Sequence, residues 1–526
     1  MSHIDEKLRD HAAQISQKTL VELFAEEPQR VQAATFQVAG IYADLSKNHI
    51  NAQTGELWTQ WAAQAGVAEG IAAVVRGDNV NTGEHRPALH HALRAPAEGE
   101  FVVNGIDVNI EIRAARRRMQ DFAERIRSGT WKGYRDEAIS DVVHIGIGGS
   151  ELGPRLLCEA FAHEADGPKI HFLATPDPVQ LQHLMHTLNP ATTLLIVASK
   201  SFGTEETLAN ADILRTWLRQ HGGEAADNQM LAISANVDKA AAFGIAEERV
   251  LPFWDWVGGR FSLWSAIALP FTLQNGYAAY EKLLAGAHEM DKHFQTAAIA
   301  QNLPAQLALL DAWYNHYFGI NNRALILYAH SLAAFAQYLQ QLDMESLGKR
   351  ANRAGEPLDK PSGLIIWGGT GTESQHAFFQ LIHQGQRRIP LDFITVKKAP
   401  QGLEKAAHIV HGHCLAQAEA LMRGRDESDL QEIPEAERYQ RTSPGNRPSS
   451  TLILDELSPQ CLGALIALYE HKTTVLGILY DVNAYDQWGV ELGKILAKGT
   501  EASLAGEIGA HHDASTAALL KHLKSS

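Results

Sequence analysis

Apolar residues recur at helical spacing in the first quarter of the chain, most clearly over residues 4–24 and 54–75, and acidic residues recur at the helix starts. Residues up to about Asp136 are therefore predicted to be helical, with polar turns such as Ser46-Lys47-Asn48 between helices. The pattern changes from Asp141. A short apolar run over 142–147 ends in Gly148-Gly149-Ser150, and runs of strand character follow at 170–174, 194–198 and 230–233. Helical stretches such as 205–219 separate them. Near Asn322 the alternation starts again, with apolar runs at 324–328, 364–367, 393–396, 451–454 and 475–480 and helical stretches at 376–383 and 415–422. Such alternation predicts parallel sheets covered by helices on both faces. The loops at 147–151 and 367–371 look alike, which suggests two related α/β domains.

The expected organisation is a helical N-terminal region (1–136), a first α/β domain (137–285), a second (286–510) and a C-terminal tail (511–526). The polar, proline-containing stretch 423–450 reads as a surface excursion within the second domain, because strand and helix texture resumes after it. The tail reads as a short polar helix or irregular chain.

Charge narrows the functional classes. Against 46 lysines and arginines stand 61 aspartates and glutamates, a formal charge of −15 over 526 residues. That argues against nucleic-acid binding, which needs a basic footprint. It still permits a small anionic ligand in a locally positive pocket. The three cysteines, Cys158, Cys414 and Cys461, are odd in number and far apart, which suits a reducing compartment. The polar start MSHIDEKLRDHAAQ lacks an apolar signal core. No run is expected to span a bilayer, since the stretch 261–273 is short and contains Pro270. A cytoplasmic location follows as an expectation.

Six segments carry candidate chemistry. In His144-Ile145-Gly146-Ile147-Gly148-Gly149-Ser150-Glu151, glycines at a strand end precede a helix, an arrangement that admits an anion or makes a plain tight turn. Glu151 stands where a dinucleotide fingerprint needs its third glycine, and no Lys-Ser/Thr ending marks a nucleotide loop. Ser199-Lys200-Ser201-Phe202-Gly203-Thr204 brings three hydroxyls, an ammonium and free N–H groups to one helix start, which suits a phosphate monoester and equally a helix cap. Arg260 follows Gly258-Gly259 and enters apolar surroundings, so it needs an anionic partner, in a site or in a structural ion pair. Glu345, with Gln341 four residues before it, has no distinguishing local signal. His376 sits at a glycine-loop-to-helix junction, where imidazole could shuttle protons or bond a helix start. Gln487, Glu491 and Lys494 share a helix face, as an ordinary Glu–Lys pair also would. The histidines of His411-Gly412-His413-Cys414 lack a second ligand pair at zinc-site spacing and are read as structural, and His90-His91 is given no role.

Together these segments resemble the glucose-6-phosphate isomerase family. DWVGGRFSLWSAIA (255–268) and YDQWGVELGK (485–494) are close to family signatures; IGIGGSELGP, ASKSFGTEET, MESLGK, SQHAFFQLIHQG, GNRP and GEHRPALHHALR fall in the expected order. The resemblance covers nearly the whole chain. It implies two sugar-isomerase (SIS-type) α/β domains, no cofactor and no metal, and interconversion of an aldose and a ketose phosphate through an enediol(ate). By position, Glu345 matches the base that carries the proton between C2 and C1. His376 and Lys494 match the groups that assist ring opening, and Arg260 matches the cation beside the enediolate. Ser199, Lys200, Ser201 and Thr204 match the phosphate grip; Gly149, Ser150, Gln341 and Gln487 match the rest of the substrate shell. The resemblance also implies a homodimer with His376 supplied by the neighbouring subunit. The chain departs from the pattern at Ser201 and Gly203, where threonines are more usual, at Leu347 in place of asparagine, and at Glu373-Ser374 in place of Asn-Gly. A non-catalytic sugar-phosphate sensor and an isomerase of a related sugar such as mannose 6-phosphate are the alternative readings.

Overall fold

The structure is a computed structural model that describes residues 3–96, 98, 100–507 and 511–525. Contacts divide the chain into two compact units, Met1–Ala484 and Tyr485–Ser526.

In the larger unit the strands are, in chain order, β1 (Thr35–Val38), β2 (Ile41–Asp44), β3 (Val102–Val103), β4 (Ile106–Asp107), β5 (Asp141–Ile145), β6 (Lys169–Leu173), β7 (Thr193–Ala198), β8 (Met230–Ser234), β9 (Val250–Pro252), β10 (Asn322–Tyr328), β11 (Ile365–Thr370), β12 (Leu391–Val396) and β13 (Ser449–Leu454). One sheet is wholly parallel, in the order β6-β5-β7-β8-β9. The other has the order β1-β2-β13-β12-β10-β11, parallel from β13 to β11 and closed by the antiparallel pair β1–β2. In each, the chain moves outward by one strand and then returns past its starting strand. The order thus reverses between β5 and β7 in the first sheet and between β10 and β12 in the second. Ligands of open α/β sheets bind at such reversals, outside the carboxyl ends of the strands. The fold is α/β with two doubly wound sheets, as the alternating pattern implies.

Continuous apolar runs work as strands here because helices cover both faces. All six residues of β7 are buried. Around the first sheet a cluster that includes Val143, Ile145, Leu195, Val197, Leu214 and Trp217 forms the core. Around the second, Ile326, Phe393, Phe379 and Leu421 do so. The N-terminal helices pack their Leu8, Trp58 and Trp61 on the helix Leu303–Phe318 through Leu310 and Trp313.

Three sequence expectations need correction. The first 136 residues are not all helical: β1 and β2 form a hairpin. Its turn, Ala39-Gly40, has φ of 49° and 74°, the left-handed pair that suits a two-residue connection, and alanine at such a position gives no turn signal. The run 475–480 is not a strand but the end of the helix Pro459–Leu479. That helix is buried all round, so it has no polar face and no helical periodicity to read. It is also long and apolar enough to cross a membrane, yet it is a core helix packed between Tyr277–Thr296 and Leu303–Phe318. Finally, the two glycine loops differ in kind. Gly148-Gly149 lie in a turn after β5, whereas Gly368-Gly369 lie within β11, where Gly368 pairs with Leu325.

The excursion after the helix Glu404–Arg423 consists of short turns at Glu427–Leu430, Glu435–Arg438 and Tyr439–Arg441, and the chain rejoins the sheet at Ser449. The second unit, taken by itself, holds the helices Glu491–Leu504 and Ala514–Lys524.

Candidate active site

The two loops that leave β5 and β7 flank the reversal point of the first sheet. The β7 loop is set by its buried ends. Ser199 N–H extends the sheet ladder to the Ile233 carbonyl at 3.0 Å. Phe202 drops its ring into the core against Phe243, centroids 5.8 Å apart, and holds φ at 45° to do so. A phenylalanine in left-handed backbone is strained, and such strain persists where the surroundings over-determine it. Between these anchors the loop turns its polar groups outward.

Thr204 occupies the N-cap position of the helix Glu205–Gly222, yet its side chain accepts no capping hydrogen bond. Its hydroxyl instead lies 3.2 Å from Ser199 Oγ. The helix start therefore keeps first-turn N–H groups for another acceptor. Lys200 is committed differently. Its ammonium donates to the carbonyls of Asp255 at 3.0 Å and Val257 at 2.9 Å, tying the β7 loop to the segment that carries Arg260. Burial, with Arg86 nearby, pulls this lysine down to about 8. Lys239 Nζ lies 3.6 Å from where a side chain on Gly203 would begin, so a second ammonium overhangs the place where a hydroxyl is missing.

The β5 loop approaches the Arg260 segment more closely than any side chain permits. A Cβ on Gly149 would sit 2.1 Å from the Gly259 carbonyl and 2.6 Å from Arg260 N. On Gly148, at φ 60°, it would sit 2.9 Å from Gln341 Nε2. Ser262 Oγ closes the contact by donating to the Gly149 carbonyl at 3.3 Å.

Arg260 is almost wholly buried, and its fork is fully oriented. Nε donates to Ser346 Oγ at 2.6 Å and Nη2 to the Ala484 carbonyl at 2.6 Å, while Nη1 faces Glu345 Oε1 at 3.8 Å. Glu345 keeps 22% of its side chain exposed. Its carboxylate can thus meet a ligand from one side and a fixed cation from the other. Glu345 ends a π-helical turn, Gln340–Glu345, that also carries Gln341. This structure therefore joins a hydroxyl-rich anion loop, a glycine cradle, a fixed cation and a reachable carboxylate. A group of that kind can hold a phosphate, take a proton from carbon and stabilise the oxyanion that results.

A profile of phosphoglucose isomerase matches residues 44–520. The chain belongs to the phosphoglucose isomerase family. It is 45% identical to the glucose-6-phosphate isomerase of Cupriavidus metallidurans, over 99% of this chain and 97% of that one. With the glucose-6-phosphate isomerase of Pseudomonas fluorescens it shares 43% identity, over 98% and 96%. The crystal structure of a glucose-6-phosphate isomerase from Chlamydia trachomatis superposes with a TM-score of 0.86 at 28% identity, covering 99% of this chain and 98% of that one.

Of the residues singled out from the sequence, Gly149, Ser150, Ser199, Lys200, Ser201, Thr204, Arg260, Gln341 and Glu345 lie in the larger unit, on the loops just described and on the π-helical turn. His376 follows the short helix Gly371–Gln375 after β11, and its side chain is exposed. Gln487 and Lys494 belong to the second unit, where Gln487 precedes a short turn and Lys494 stands in the first turn of the helix Glu491–Leu504. Sequence reasoning passed over Lys239 and Ser346. Ser346 adjoins Glu345 in the motif itself; Lys239 has no local signal beyond lying just after β8, whose end adjoins the β7 loop.

Proposed function

We propose that this member of the phosphoglucose isomerase family interconverts D-glucose 6-phosphate and D-fructose 6-phosphate by proton transfer. The observation that carries the reading is the Arg260–Glu345 pair, a reachable carboxylate beside a preoriented buried cation, next to a phosphate-type loop. The substrate is mostly a closed ring, so the ring opens first; His376 and Lys494 are the groups assigned to that step. In the open aldose, the C2 proton is labile because a carbonyl adjoins it. Glu345 removes it and returns it to C1, and one base on one face serves both steps. Arg260 stabilises the charge that grows on oxygen. Ser199, Ser201, Thr204 and the free N–H groups of the helix start hold the phosphate, with Lys200 and Lys239 as the nearby cations. Gly149, Ser150, Gln341 and Gln487 line the sugar. The phosphate stays chemically idle, and its binding energy keeps the open chain in position.

The protein works in this reading as a cytoplasmic homodimer of two SIS-type domains per chain, each subunit lending His376 to its neighbour. The exposed position of His376 supports this.

Turnover in deuterated water tests the chemistry. Deuterium entering at C2 of recovered glucose 6-phosphate is expected. Complete retention of the original hydrogen, with none lost to solvent even at long times, would point to hydride transfer instead.

A further inference from the structure

The turn that ends in Glu345 is the only π-helical segment among the described residues. A π-turn holds an extra residue in its ring and occurs mostly at functional sites, where its surroundings must support the less favourable geometry. Here the support is ionic and lies on the inner face. Asp343, 3% exposed, accepts a hydrogen bond from Lys472 Nζ at 3.3 Å. Lys472 belongs to the core helix Pro459–Leu479 and also meets Asp311 Oδ2 at 2.5 Å. Asp311 pairs with Arg323 of β10, which in turn holds Asp392 Oδ1 of β12 at 2.7 Å. The Tyr469 hydroxyl donates to Asp392 Oδ2 at 3.1 Å. An unbroken line of buried charges therefore runs from the centre of the second sheet, through the core helix, to the middle of the π-turn.

Stability alone is a poor reason for such a line. Desolvating five charges offsets most of what their attraction returns, and apolar residues of the same volume often serve better. What an ion pair supplies, and apolar packing does not, is a fixed register. Leu342 and Asp343 face the core, while Glu345 lies two residues on, at the ligand side, and Ser346 beside it holds Arg260. A slip from π to α register at Asp343 would rotate everything after it.

We propose that Asp343, held by Lys472, is the positioning residue that locks the π-turn and so aims Glu345. This rests on the reading of Glu345 as the base. The cluster holds three carboxylates against two cations, so replacing Asp343 by a neutral residue leaves it balanced, and folding is expected to survive.

The test compares Asp343→Ala, Asp343→Asn and Glu345→Gln in the full-length protein. It measures kcat, KM, the denaturant midpoint and the affinity for sorbitol 6-phosphate, a phosphorylated open-chain polyol with no carbonyl to react. Asp343→Ala is expected to lower kcat on the order of 10²-fold, the usual penalty for a misplaced catalytic group, with sorbitol 6-phosphate affinity within about twofold. Asp343→Asn keeps an acceptor oxygen in the same place and is expected to recover most of that loss. An unchanged kcat in Asp343→Ala overturns the proposal. So does a parallel fall of kcat and sorbitol 6-phosphate affinity, which would mark a general structural role. If Asp343→Ala does not fold, Asp343→Glu takes its place. Its extra methylene moves the anchor, so kcat is expected to fall about tenfold with affinity kept, and an unchanged kcat again overturns the idea. Glu345→Gln reports on the base alone: wild-type-like turnover there refutes the base assignment whatever Asp343 does.

Discussion

Arg260 meets Glu345 at 3.8 Å only because two other groups hold it there, the Ser346 hydroxyl and the Ala484 carbonyl. The guanidinium cannot swing away when a substrate approaches, and it is nearly free of water. A cation fixed in this way stabilises developing charge without reorganising.

Replacing Arg260 by alanine is therefore expected to lower kcat by roughly 10²–10³, the usual loss of one oxyanion donor. Arg260→Lys is expected to recover little, because an ammonium cannot reach Ser346, the carbonyl and the oxyanion with one fork. Steady-state kinetics of both variants check this. A change of less than twofold in Arg260→Ala would make the arginine a packing group.

Gly149→Ala tests the contact between the β5 loop and the Arg260 segment. The added carbon would lie 2.1 Å from the Gly259 carbonyl, so one backbone must move. Activity is expected to fall about 10²-fold, since a shift near 1 Å at a catalytic group costs that much. Normal kinetics in a folded Gly149→Ala protein would show that the segments separate harmlessly.

The proposed phosphate grip predicts an alkaline limit. Lys200 is held down to about 8, so in the free enzyme it is an ammonium below that pH and a neutral amine above it. A phosphate monoester gains its second charge near pH 6. Plotted against pH, kcat/KM is expected to be highest between about 6 and 8 and to fall above about 8 as Lys200 loses its proton. In Lys200→Arg the alkaline fall should disappear from this range. Its persistence would assign it to another group.

Lys239 should matter for binding and not for chemistry. Lys239→Ala is expected to raise KM about two- to fivefold with kcat unchanged, the scale of one exposed ion pair. The effect should shrink at high salt. A lower kcat at unchanged KM would contradict this role.

Arg94 carries a different burden. It is fully buried and holds Asp291 and Glu470, both buried. Arg94→Met is expected to cost about 3–5 kcal/mol, because it leaves carboxylates unpaired in the interior. Urea denaturation checks it, and a shift below about 1 kcal/mol would mean that the acids simply protonate at little expense.

Much of this architecture is legible in the chain. β5, β7, β10 and β12 are short apolar runs because both faces are covered, and a glycine or polar residue follows β5, β7 and β12. The Ser199–Thr204 loop is legible because hydroxyls and a lysine crowd one strand-to-helix junction. What sequence could not show is pairing across distance. Nothing local links Arg260 to Glu345, or Lys200 to the carbonyls of Asp255 and Val257. Asp343 and Lys472 are two charged residues among many until the fold buries them. The helix Pro459–Leu479 hides its type for the reason that it is central: a fully enclosed helix has no face for water to mark.

The hairpin β1–β2 has a consequence for how the chain is made. Its partner, β13, lies about 400 residues downstream. At 5–20 residues per second, the ribosome takes roughly 20–80 s to deliver it. Throughout that interval the outer edge of β2 waits unpaired, a ready template for another nascent copy. Synthesis at high density on crowded messages should therefore favour swapped or aggregated chains, and a version that begins after Asp44 would leave β13 with the same raw edge permanently.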